Sequence, residues 1–72
     1  MAWQQWEYGT LEWLWDVGSI RVNLPGGRET ASKGSYKEIV ETLTSLGAEG
    51  WDAANCVAAS NWLFWTLRRP VG

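Results

Sequence analysis

The stretch Leu46-Gly47-Ala48-Glu49-Gly50-Trp51-Asp52 limits what this chain can fold into more than any other. It marks a change of period. Before it, Tyr36, Ile39, Val40, Leu43 and Leu46 recur at helical spacing and form one apolar stripe. Lys37, Glu38, Glu41, Thr42 and Ser45 fall on the wet side. Ser35 and Glu38 have the spacing of a capping box, which satisfies two otherwise orphaned N–H groups at a helix start. Gly47 suits the left-handed residue that closes a helix. Beyond it, Trp51 to Ala58 reads as a strand, and Trp51 as the aromatic that anchors the turn made by Gly47 and Gly50.

The flanking segments read as strands. Trp3 to Val17 is aromatic-rich, and a strand is expected over about residues 4–16. Its apolar set shifts from Trp6 and Tyr8 to Leu11, Trp13 and Trp15. This implies either a bulge at Gly9-Thr10 or a strand that is apolar on both faces. After a turn at Val17-Gly18-Ser19, Ile20, Val22 and Leu24 alternate with polar residues, so an antiparallel hairpin follows. Pro25 to Gly34 reads as one long loop. After Trp51–Ala58, a turn at Ala59-Ser60-Asn61 leads to a last strand from Trp62 to Arg69, ended by Pro70. Residues 1–72 are thus expected to form a single α+β domain, ββαββ, with a four-stranded antiparallel sheet and one helix packed on one face.

A 72-residue chain buries only roughly 60% of its unfolded surface, so it needs an added source of stability. Cys56 is the only cysteine, which removes intrachain disulfides; with no histidine, no usual zinc site can form either. Large core side chains or self-association remain. Seven tryptophans are more than one small core can easily enclose, since each aromatic buries on the order of 150–250 Å². Some are therefore expected at a subunit contact or a ligand site. The net charge of −2 gives no electrostatic case for a nucleic-acid duplex. No stretch approaches the ~20 apolar residues of a membrane span, and no secretion signal is recognisable. A cytoplasmic location is the default expectation.

Trp6-Glu7-Tyr8, Leu46 to Asp52, and Phe64 to Arg69 together resemble a widespread set of short bacterial and phage proteins grouped only as a domain of unknown function. Those proteins show W-E-Y near the start, L-G-A-E-G-W-E after a helix, and a closing strand that ends in a basic residue. The resemblance covers nearly the whole chain. Asp52 departs from the usual Glu, Ala53-Ala54 replace bulkier aliphatics, and Thr44 or Ser45 lies where an asparagine is common. Trp13, Trp15, Trp62 and Trp65 have no counterpart, which makes them this chain's own specialisation. The resemblance implies the fold and carries no catalytic residues.

One helix covers one sheet face, and an aromatic second face is left over; exposed apolar patches of that kind mark interaction sites. The expected function is a non-catalytic, oligomeric binding module for a planar anionic ligand. Trp13, Trp15, Trp62 and Trp65 would stack on the ligand, and Arg28, Lys33, Arg68 and Arg69 would meet its anionic groups. Since the similar proteins include phage ones, one concrete version is sequestration of a nucleotide signal used in bacterial defence. The alternative is a structural self-assembly or protein–protein interaction module without a small-molecule ligand. The Pro25–Gly34 loop invites a phosphate reading, although Lys33-Gly34-Ser35 is not the G-K-[S/T] of a P-loop. Glu7, Glu12 and Asp16 are expected to supply a polar face rather than acid–base catalysis, and Cys56 to be a buried, inert thiol. No cofactor or metal is expected.

Overall fold

In a computed structural model, which describes residues 3–71, the chain runs β1 (Gln5–Leu14), β2 (Ser19–Leu24), β3 (Arg28–Lys33), α1 (Tyr36–Ala48), β4 (Asp52–Ala59) and β5 (Trp62–Val71). The five strands form one antiparallel sheet in the order β3-β2-β1-β5-β4. The α+β class with a single helix is as expected; the sheet has five strands, not four.

The added strand replaces most of the expected Pro25–Gly34 loop. Gly26 and Gly27 both take positive φ, and the chain turns back at once so that Arg28 pairs with Leu24 and Lys33 with Ser19. Arg-Glu-Thr-Ala-Ser-Lys contains no large apolar residue, and all six positions are exposed. Backbone pairing rather than burial therefore defines this strand.

The expected bulge at Gly9-Thr10 is absent. β1 pairs with β5 without interruption from Gln5↔Val71 to Leu14↔Trp62. The shift in apolar set is a change in which face is apolar. Leu11 and Trp13 face the helix, whereas Trp6 and Tyr8 occupy the opposite face. The irregularity instead lies in β4, between Ala53 and Asn55. Pro70 does not end the last strand; it pairs with Trp6 inside β5.

The core lies between α1 and one sheet face. Leu11 and Trp13 of β1, Ile20 and Val22 of β2, Leu67 of β5, Ile39 and Leu46 of α1, and Trp51 are all buried. The helix stripe is narrower than its sequence suggests, because Tyr36 is 72% and Val40 60% exposed.

Gly47 lies inside the helix and does not close it. The closing residue is Gly50, at φ +94°. Gly50 N–H donates to the Gly47 carbonyl and Trp51 N–H to the Leu46 carbonyl, both at 3.0 Å. This is a Schellman closure, which needs a left-handed residue where only glycine is unstrained. It sets Trp51 into the core beside the helix's last turn. Among the described residues, no helix is long and apolar enough to cross a membrane.

Candidate binding site on the open sheet face

The structure separates the residues that sequence reasoning grouped. Trp13 is buried, and its indole N–H donates to the Gly34 carbonyl at 3.2 Å. Trp65 packs half-buried against the core on the same face. Neither offers a ring face for an open stacking platform. Trp15 is exposed just beyond β1, where it forms a cleft of about 380 Å³ with Trp13, Ser35 and Tyr36. Both Trp15 and Tyr36 meet Trp13 edge-on, at 6.2 and 4.9 Å between ring centroids. Among the described residues, no basic side chain lines that cleft.

The basic residues are also dispersed. Arg28 pairs with the Glu49 carboxylate at 3.1 Å, and Lys33 lies at the other end of β3. The two therefore do not close a phosphate cradle. Both line a groove of about 460 Å³ between α1 and β2–β3, but Glu38, Glu41 and Glu49 line it with them and disfavour an anion. Arg69 is structural. It pairs with Glu7 across the β1–β5 ladder, donates to the Glu49 carbonyl at 2.9 Å, and lies over the Trp51 ring at 4.7 Å. It ties the helix end to the sheet.

Arg68 points the other way. Its guanidinium lies 4.3 Å from the centroid of the Trp6 ring, on the face without a helix. Among the described residues Arg28 and Arg69 are ion-paired and Arg68 is not. Its buried Nε has no acceptor among them. Tyr8 is Arg68's neighbour on β1 and is 57% exposed. Asp52 is its neighbour on β4 and forms no ion pair with it.

Next to Tyr8, where β2 leaves β1, lies a depression of about 380 Å³. Tyr8, Thr10, Asn23, Pro25 and Thr66 line it. Thr10 pairs with both Asn23 and Thr66, so two hydroxyls and an amide sit in one row across three strands. Farther along the same face, Trp62 and Phe64 pack with centroids 5.3 Å apart, and the Trp62 indole N–H donates to Glu12 at 3.4 Å. Trp62 lies six positions from Arg68 along β5, about 20 Å away. One small ligand does not span both.

Trp6 and Tyr8 thus belong to the second face, and the sequence reading did not name them among the ligand contacts. The signal for them was the alternation Trp6, Tyr8, Thr10, opposite in phase to Leu11 and Trp13.

The three carboxylates of the first hairpin region stand apart. Glu7 pairs with Arg69, Glu12 accepts from Trp62, and Asp16 accepts from the Asn61 amide at 2.9 Å. Glu38 accepts from Ser35 N–H at 2.8 Å and from its hydroxyl at 3.1 Å; these bonds, led by the backbone one, hold its carboxyl below the ordinary value of 4.5. Cys56, expected to be buried, is exposed on β4. Comparison of the chain with protein-family models, with curated proteins and with solved structures found no match.

Proposed function

We propose that this chain is a non-catalytic binding module that holds a planar anionic ligand, of nucleotide type, on the open face of its sheet. The observation that carries the reading is the adjacency of Tyr8, the Arg68–Trp6 pair and the Thr10–Thr66–Asn23 row. Tyr8 offers a ring for stacking, a contact worth about 1–3 kcal/mol per base. The hydroxyls and amide offer donors and acceptors for ring edges or sugar hydroxyls. Arg68, held over Trp6, supplies the positive charge for a phosphate.

The reading is tested by titrating nucleotides and cyclic dinucleotides while following tryptophan emission and melting temperature. Binding should perturb Trp6, because an anion drawn to Arg68 changes the field over that ring. Arg68→Met should weaken binding by at least about tenfold, the equivalent of roughly 1.4 kcal/mol. A panel that alters neither signal at millimolar concentration removes the proposal. A second reading, self-association without any small ligand, is supported by the exposure of β4.

A further inference from the structure

The two edges of the sheet are built differently. β3 carries Arg28, Glu29 and Lys33 among its six residues, and charges of this kind discourage edge pairing. β4 carries one charge, Asp52, at its first position; Ala53 to Ala59 is uncharged and free of proline. All eight residues of β4 are exposed. The bulge between Ala53 and Asn55 protects only the start of the strand and leaves Asn55 to Ala59 regular. Alanine is a poor strand former, yet four of these eight residues are alanine. Local preference and observed structure therefore conflict here, unless something packs closely along the strand.

We propose that β4 pairs antiparallel with β4 of a second copy, about a two-fold axis near Cys56 and Val57, to give one continuous ten-stranded sheet. This names the surface for the self-association reading and rests on that reading. A second copy is the occupant favoured by charge and shape. A two-fold axis brings the same strand to itself, so the uncharged, small-residue run meets an equally uncharged, small-residue run. Antiparallel pairing about this axis places the two Asp52 carboxylates at opposite ends, roughly 30 Å apart; parallel pairing would set them side by side. The covered core of each copy centres on β1 and β2, so the half-sheet beside β4 is the thinly covered one. Joining two such halves sets Cys56 and Ala58 of each copy, next to half-buried Trp65 and Leu63, along a shared floor between the two helices.

Sedimentation of the full chain at micromolar concentration tests this. The expected mass is about 16 kDa, twice the 8.1 kDa chain. Val57→Lys would place two ammonium groups next to each other at the axis, where like charges repel. It should shift the mass to that of one chain. Val57 is 52% exposed and outside the core, so the near-UV circular dichroism of the variant should still be that of a folded protein. Cys56→Lys serves as the second variant and should behave alike. Ala31→Lys, on the charged edge, should leave the dimer intact. A dimer that survives both β4 substitutions, or that Ala31→Lys alone dissociates, overturns the pairing but leaves self-association standing. A wild-type chain that sediments at 8.1 kDa overturns both. Nucleotide titration of the Val57→Lys monomer reports separately on the ligand site.

Discussion

Trp51 donates its backbone N–H to the carbonyl of Leu46 at 3.0 Å, and the side chains of the same two residues are buried to 5% and 7% exposure. This bond, with that from Gly50 N–H to Gly47, and the burial of both residues in one core close the helix and start the second half of the sheet. Gly50, between them, is the residue that makes this closure possible. Gly50→Ala should destabilise the fold by about 1–2 kcal/mol, the cost of forcing an L-residue into the left-handed region. Gly47→Ala should do the reverse. Gly47 is helical and a Cβ there meets nothing within 4 Å, so stability should rise by about 0.8–1 kcal/mol. Urea unfolding of the two variants checks both signs.

Arg69 holds the end of α1 to the sheet through Glu7, the Glu49 carbonyl and the Trp51 ring. Arg69→Met keeps much of the aliphatic packing and removes the charged hydrogen bonds, which are worth about 1.5–3 kcal/mol when made to a charged group. A loss of about 2 kcal/mol is expected. Arg68, half-buried over Trp6 and without an ion pair among the described residues, should cost less stability when replaced by Met and act instead on ligand affinity. Chemical unfolding of the pair separates the structural arginine from the proposed binding one.

Gly9 is buried where β2 passes close to β1. A Cβ there would stand 2.7 Å from Leu24 Cδ2 and 2.8 Å from the Asn23 carbonyl oxygen. The leucine can rotate, but the backbone oxygen cannot. Gly9→Ala should therefore cost about 1–3 kcal/mol, the usual range for overpacking, read as a lower unfolding midpoint.

Much of the architecture was legible because it is written in apolar period. The stripe through Ile39, Leu43 and Leu46, the alternation of Ile20, Val22 and Leu24, and the turn before Trp51 each leave a mark on the residue order. β3 leaves none, because its side chains bury nothing and its stability comes from backbone pairing with β2. Gly47 was expected to close the helix, but Gly50 does so; its positive φ and the hydrogen bonds to Leu46 and Gly47 distinguish the two. The candidate site was harder to read. Trp13 and Trp65 share a face with the helix and are spent on packing, while Trp6 and Tyr8 point away from it. That difference is one of strand phase, which the residue order shows; which of two aromatic faces the single helix covers it does not show.

Glu38 makes stability depend on acid. Its carboxyl is held below its ordinary value by bonds from Ser35, so its contribution is fully present above about pH 4.5 and is lost as pH falls through the lower folded-state value. Melting temperature measured between pH 6 and pH 3, roughly, should therefore fall less steeply for Glu38→Gln than for the parent chain, because the glutamine does not titrate. Parallel profiles would mean that the Ser35–Glu38 contact contributes nothing in solution.

We propose the open face, at Tyr8, Trp6 and Arg68, as the surface that receives a planar anion. The most direct measurement is a fluorescence titration with nucleotides on three proteins: the parent chain, Arg68→Met and Tyr8→Ala. Saturable changes in tryptophan emission are expected for the parent, and at least about tenfold weaker binding for each variant. The proposal is contradicted if no nucleotide binds the parent at millimolar concentration, or if binding occurs and neither variant weakens it.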